Sequence, residues 1–225
     1  MATISVNVPR GDYAEIYRDR RLFLAVSGLI ASGKTSLVQQ LSAALHFTPI
    51  YEPVKENVYL PLFYKDMAKF GFPMQVYLLN ERFRQHQSIV WSGESSVQDR
   101  SIYEDPIFAS MLHDSGNISD LDFATYSSLF SNMCQFLHRP DIILYLDVTP
   151  ETAFARMQKR GRECEKDVSL DYLRSLRDGY ESWIKDIRTR IPVVRIDWNA
   201  DYLPLSTVID AIKSADIVRK LPITF

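Results

Sequence analysis

The stretch Gly28-Leu29-Ile30-Ala31-Ser32-Gly33-Lys34-Thr35 constrains this chain more than any other. It follows an apolar run, Leu22-Phe23-Leu24-Ala25-Val26, and leads into Leu37, Val38, Leu41, Ala44 and Leu45, spaced for one face of a helix. Strand, glycine-rich loop and helix in that order, with the pattern G-x-x-x-x-G-K-T, make a polyphosphate cradle. The glycines let the backbone come close, so that loop N–H groups and the helix N-terminus point at phosphate. Lys34 is spaced to reach the terminal phosphates and the Thr35 hydroxyl to bind Mg²⁺. The bland reading is a glycine turn that happens to precede a helix. The sharper one is a nucleoside-triphosphate site.

Composition narrows the surroundings of that loop. At 225 residues the chain is long enough for one medium α/β domain with a real core. A formal net charge of −2 leaves no electrostatic footprint for nucleic acid or for an anionic membrane. No apolar run approaches the roughly 20 residues that span a bilayer. Residues 1–21 carry Arg10, Arg18, Arg20 and Arg21 but also Asp12, Glu15 and Asp19, and they lack an apolar block. They read as a loosely ordered leader rather than a transit or signal peptide. Cys134 and Cys164 make neither a disulfide framework nor a metal spacing, which points to a reducing, cytoplasmic setting. With no repeat, low-complexity tract or Pro/Gly/Ser-rich linker, residues 22–225 read as a single domain.

Beyond the first helix, Phe47 to Tyr51 reads as a short strand ending at Glu52-Pro53-Val54, since proline cannot continue a ladder. Glu52 then sits at the strand's carboxyl end, where open parallel sheets bind ligands. It is a candidate base for a hydroxyl nucleophile; a helix cap or a solvated loop acid is the other reading. Residues 58–69 have the spacing of a short amphipathic helix, broken at Gly71-Phe72-Pro73, with a longer helix from about Met74 to Trp91. Tyr64, Gln75 and Arg82 lie on or near it, and singly each is an ordinary surface or packing residue. Ser95 to Gln98 runs as a strand into Asp99-Arg100-Ser101. An acid there can hold a metal-bound water, and the arginine beside it can offset charge that develops in phosphoryl transfer.

Asp105-Pro106 opens a helix through Met111, and residues 119–137 make another that is apolar over much of its surface. Such a helix is buried or packs against a partner chain. Ile142 to Leu146 is a near-continuous apolar strand, as in the middle of a parallel sheet. Thr149, Pro150 and Glu151 start the next helix. It carries Arg156, Lys159 and Arg160 and, past Gly161, Arg162. Forked donors around a glycine suit a lid over a phosphoryl group; a solvated basic helix end is the alternative. A helix from Leu170 to Arg188, a strand from Val193 to Asp197 and a helix around Val208–Ile217 follow. The alternation implies an α/β fold, a parallel five-stranded sheet with helices on both faces.

From Leu22 to about Ile217 the chain resembles the deoxyribonucleoside kinases, P-loop enzymes that move the γ-phosphoryl of ATP to the 5′-hydroxyl of a deoxynucleoside. The resemblance rests on the P-loop, Glu52-Pro53-Val54, Gln75 with Arg82 seven residues on, Asp99-Arg100-Ser101, and Arg156-x-x-x-Arg160-Gly161-Arg162, in that order. The run Asp99-Arg100-Ser101-Ile102-Tyr103-Glu104-Asp105-Pro106-Ile107-Phe108-Ala109 is similar to the branch of bacterial deoxyadenosine and deoxyguanosine kinases, relatives of deoxycytidine kinase.

The resemblance implies a P-loop NTPase fold with an Arg-rich lid at about 156–169, and a homodimer packed through helices. It implies that Glu52 takes the 5′-hydroxyl proton while Arg100 holds that oxygen and the transferring phosphoryl, and that Lys34 acts on the donor. Thr35 and Asp99 would place Mg²⁺, and Gln75 would pair with the base edge. Tyr64 and Glu165 would bind the 3′-hydroxyl, and Arg156, Arg160 and Arg162 the ATP phosphates. The segment Asp197 to Tyr202, with Asp201 and Tyr202, would pack around the donor's base. Leu29 departs from the Asn of many members, Cys164 from a lid residue that is commonly polar, and Asn57 from a tryptophan of several animal members.

Substrate choice is partly legible. The Gln75 amide pairs with adenine, cytosine or thymine alike. A carboxylate at Asp105 accepts from an exocyclic amine and is repelled by the thymine 4-carbonyl, and Arg82 can donate to the guanine 6-carbonyl. The expectation is a purine deoxynucleoside, deoxyadenosine first and then deoxyguanosine, with deoxycytidine as side activity. One rival is a nucleoside monophosphate kinase of the thymidylate kinase type, which needs basic groups for an acceptor phosphate; Glu52 and Glu165 instead suit hydroxyls. A regulatory GTPase would carry Asn-Lys-x-Asp, which is absent. A non-catalytic scaffold on the same fold is the other rival, and it would not need Lys34, Thr35, Glu52 and Asp99 together.

Overall fold

Alternation of side chains along β1 (Phe23–Gly28) builds both halves of the core around one strand. Leu24 and Val26 face α1 (Lys34–Leu45) and α8 (Leu205–Lys220), packing with Leu37, Val38, Leu41, Val208, Ile209 and Ile212. Ala25 faces the other way, toward Ile187 of α7 (Leu170–Ile187). A strand buried on both faces belongs in the middle of a parallel sheet. The computed structural model, which describes residues 21–52, 57–200 and 203–220, places it there.

The sheet is all parallel, in the order β2-β3-β1-β4-β5, with β2 at Thr48–Ile50, β3 at Ser96–Asp99, β4 at Ile142–Asp147 and β5 at Val193–Asp197. In register, Val26 pairs with Asp99 and with Leu144, so the P-loop and Asp99 leave the sheet side by side at its carboxyl edge. The Asp141 carboxylate accepts the Phe23 N–H at 2.7 Å, and the Asp141 N–H donates to the Phe23 carbonyl at 2.8 Å, which anchors the start of the β1–β4 ladder.

Two expectations change. The helix break is not at Gly71-Phe72-Pro73. Here α2 is only Leu60–Lys65, Asp66 leaves helical geometry, and its carboxylate accepts the Lys69 N–H to cap α3 (Met67–Ser92). Pro73 lies inside α3, and Gly71 serves packing: a Cβ there would stand 3.1 Å from the Asn117 carbonyl. The second is narrowed rather than overturned: the apolar helix, read as buried or packed against a partner chain, is α5 (Asp120–Cys134). Only Tyr126 of it is buried, while Leu121 is 77% exposed and Phe136, just beyond its end, 89%. One face, with Phe123, Phe130 and Met133 around Tyr126, packs into this chain, and burial there leaves Leu121 and Phe136 unexplained. The remaining helices are α4 (Asp105–Asp114) and α6 (Pro150–Arg160). The leader to residue 20, Pro53, Val54, Asp201 and Tyr202 lie outside the described residues.

Asp141→Ala should lower unfolding free energy by about 1–3 kcal/mol, because it orphans a buried strand N–H. Urea denaturation checks this; an unchanged midpoint would mean that the ladder closes without the carboxylate.

Candidate active site

The P-loop conformation follows from its residues. Gly33 has a φ of +100°, and a Cβ on it would stand 2.8 Å from the Trp198 indole nitrogen, so glycine is required both for the turn and for the contact. Lys34 is buried and its ammonium donates to the carbonyls of Gly28 (3.1 Å) and Leu29 (2.7 Å), folding the loop around its own cation. Burial, with the charge of Arg100 nearby, lowers the Lys34 pKa to about 8. The Thr35 hydroxyl donates to Asp99 Oδ2 at 2.5 Å, and Asp99 Oδ1 is buried without a partner among the described residues. A hydroxyl and a carboxylate, both hard oxygen donors, fit Mg²⁺.

A cavity of about 600 Å³ opens beside this loop at the sheet's carboxyl edge. It brings together Lys34, Thr35, Asp99 and Arg100 with Glu52, Tyr64, Gln75, Arg82 and Glu165, and with Arg156, Arg160 and Arg162. Ile30, Ala31 and Gly33 line it too, whereas Gly28, Leu29 and Ser32 stand behind. Glu52 sits two residues past β2 and is held by two guanidiniums: Arg82 Nη2 donates to Oε1 at 2.6 Å, and Arg100 Nε lies 3.4 Å from Oε2. Burial alone would raise the Glu52 pKa, but Arg100 and Arg82 overcome it and hold the carboxyl at about 2. Arg82 Nη1 also donates to Asp105 Oδ1.

Asp105 departs from its expected place. It is buried behind Arg82 and is not part of the cavity wall, so Arg82 is the group that meets a ligand. Burial pushes the Asp105 carboxyl up, to about 7, with Arg82 opposing. The three arginines expected to form a lid are engaged as well. Arg160 Nη2 donates to both Glu165 oxygens, at 2.8 and 2.6 Å, and Arg162 Nη1 reaches Oε1 at 3.3 Å. Arg156 donates to the carbonyls of Ser32 (3.5 Å), Asn199 (3.3 Å) and Ala200 (3.2 Å), tying the P-loop to the loop after β5.

Sequence reasoning marked Asn57 only as a departure from several animal members and missed several other lining residues. Asn57 is buried and its carbonyl accepts the N–H groups of Tyr59 and Leu60, which starts α2. Phe63, Met74 and Leu78 make an apolar wall, and Phe108 and Tyr172 another. Tyr172 and Phe108 carry no signal beyond helix periodicity, and only the packing of α4 against α7 brings them in.

The comparisons with known proteins give the family. The sequence pattern of deoxynucleoside kinases matches residues 24–219. The chain belongs to the deoxynucleoside kinase family. It is 49% identical over 176 residues to a deoxyadenosine kinase of Dictyostelium discoideum, covering 78% of this chain and 72% of that one. It is 36% identical over 199 residues to a deoxyadenosine/deoxycytidine kinase of Bacillus subtilis (strain 168), covering 85% and 91%. A solved deoxyadenosine kinase from M. mycoides with bound dATP superposes with a TM-score of 0.76 at 31% identity, covering 86% of this chain and 98% of that one. The protein is thus a phosphotransferase acting on deoxynucleosides, and the monophosphate kinase and scaffold readings fall away.

The free enzyme's kcat/KM for ATP should fall as pH rises above about 8, where Lys34 loses its proton. A profile flat to about pH 10, the range of an ordinary lysine, would mean that the loop's carbonyls keep the ammonium charged.

Proposed function

We propose that this deoxynucleoside kinase transfers the γ-phosphoryl of ATP to the 5′-hydroxyl of purine deoxynucleosides, deoxyadenosine first and deoxyguanosine second, with deoxycytidine as side activity. The observation that carries the reading is the chain of contacts Asp105–Arg82–Glu52–Arg100, whose Arg82, Glu52 and Arg100 line one cavity with Lys34 and Asp99. Relatives named for deoxyadenosine and deoxyguanosine support the purine preference. So does Arg82, a donor in the cavity wall that suits a purine acceptor such as the guanine 6-carbonyl or an adenine ring nitrogen, with Asp105 steadying it from behind.

In this reading the 5′-oxygen of the acceptor bonds to the γ-phosphorus while the β–γ bridging oxygen leaves with ADP. The 5′-hydroxyl proton passes to Glu52. A carboxyl held near pKa 2 is a weak base, but it is ionised at every working pH and always ready to accept that hydrogen bond. A loose transition state asks little more of it, because the hydroxyl grows acidic as the bond to phosphorus forms. Lys34 and Arg100 offset charge on the transferring group, and Gln75 pairs with the base edge. Tyr64 and Glu165 take the 3′-hydroxyl. Arg156, Arg160 and Arg162 form a lid at about 156–169 over the ATP phosphates, with Asp201 and Tyr202 at the donor's base. Mg²⁺ at Thr35 and Asp99 would supply charge neutralisation on the phosphates.

Residues 22–225 act as one kinase domain, in the cytoplasm, where two free thiols are stable. The exposed apolar face of α5 is the natural contact for a second copy, as a homodimer through helices.

The deciding experiment is ATP-dependent phosphorylation of the four natural deoxynucleosides in parallel, with and without Mg²⁺. Mg²⁺-dependent 5′-monophosphates, fastest with the purines, are expected; fastest thymidine would discard the specificity argument. Glu52→Gln should keep nucleoside binding and lose roughly 100-fold or more in turnover, and undiminished turnover would remove Glu52 as base. Because Arg82 touches both Glu52 and Asp105, Asp105→Ala with Arg82→Met should shift preference toward thymidine and also lower kcat. A changed kcat with an unmoved ratio would place base selection on another wall.

A further inference from the structure

Glu104 has no part in the roles given so far, yet it is wholly buried in the short 3-10 turn Ile102–Glu104 between β3 and α4. Both its oxygens are engaged. Oε1 accepts the Ser27 hydroxyl and the Ser101 N–H, each at 3.0 Å. Oε2 accepts the Tyr180 hydroxyl at 2.5 Å and Arg100 Nη1 at 3.3 Å. The Tyr180 oxygen in turn accepts from Arg100 Nη1 at 2.5 Å. Three elements thus meet behind one guanidinium: the end of β1, the turn after β3, and α7.

Arg100 itself is held unusually tightly. Its backbone has a φ of +65°, rare for a non-glycine residue, and its N–H donates to the Val26 carbonyl at 3.1 Å. Its guanidinium lies 4.9 Å from the centre of the Phe108 ring, which packs edge-on against Tyr180. Nη1 is taken by Glu104 and Tyr180, Nε lies beside Glu52, and no described residue claims Nη2. A guanidinium is planar, so fixing two of its nitrogens fixes the direction of the third.

Stability alone does not explain this arrangement. A buried carboxylate with its partners is often no more stabilising than apolar side chains of the same volume. Its geometry, however, sets the plane of the one arginine that lies beside both Glu52 and Asp99. We propose that Glu104 and Tyr180 are positioning residues, which together lock the Arg100 plane so that Nε meets the attacking oxygen and Nη2 the transferring phosphoryl. This rests on the role of Arg100 proposed above.

The test measures kcat and both KM values for deoxyadenosine phosphorylation by the full chain with Mg²⁺, with thermal unfolding alongside. Tyr180→Phe removes one hydroxyl and keeps the ring. It should lower kcat roughly 10- to 100-fold, the scale of a misplaced catalytic group. Both KM values should stay within about twofold, and the unfolding temperature within about 4 °C. Glu104→Gln should act in the same direction, and the double variant should be no slower than the slower single, because both act through one group. An unchanged kcat in Tyr180→Phe, a loss confined to KM, or losses that multiply in the double variant would each overturn the inference. If Glu104→Gln does not fold, Tyr180→Phe decides alone. Arg100→Ala separates the two failures. Preserved turnover there sinks the reading of Arg100 itself; collapsed turnover there beside a fully active Tyr180→Phe sinks only the positioning.

Discussion

Two guanidiniums, Arg82 and Arg100, are only 3% and 4% exposed, and the site depends on how their charge is met. Taking an ion out of water costs several kcal/mol even after relaxation. Nothing apolar could meet that cost, so the surrounding elements must deliver carboxylates to fixed points. Glu52 arrives from the edge strand β2, Asp105 from the start of α4, and Glu104 from the turn between β3 and α4. The two arginines share Glu52, which ties the reading of the base to the place where the proton leaves.

The carboxyl edge of the sheet makes this convergence possible. In a parallel sheet every strand points the same way, so loops distant in sequence exit together. The β1–β3 register sets Val26 against Asp99, and the P-loop lysine therefore shares one charge field with Asp99, Arg100 and Glu52. Burial, with Arg100 nearby, lowers the pKa of Lys34, whereas the depressed pKa of Glu52 comes from the cations of that crowd, Arg100 first and then Arg82, against the effect of burial.

The parts legible in the sequence were those whose chemistry is local. A glycine-lysine-threonine loop, an apolar strand and a capped helix each declare themselves within ten or so residues, and the five strands fell where their patterns predicted. Pro73 misled because its rigid ring argues for a break, whereas the stop that matters is Asp66, an ordinary acid until its carboxylate is seen capping α3. The span of α5 reads as covered, by its own chain or by another, and hydropathy cannot say which. Asp105 was read as a wall of the pocket, and only the packed structure shows Arg82 standing in front of it. Glu104 and Tyr180 were invisible as a pair, being 76 residues apart and joined by a single hydrogen bond.

The contact of Arg160 and Arg162 with Glu165 has a thermodynamic consequence on the proposed assignment. In that proposal the carboxylate serves the acceptor and the arginines the donor, yet Glu165 and the two arginines satisfy one another. Whichever ligand arrives first must break that pair, and the second then finds its own partner already released. Donor and acceptor are thereby linked through the protein as well as through the transfer itself, and the coupling must be reciprocal: whatever factor ATP lends to the affinity for the nucleoside, the nucleoside returns to ATP.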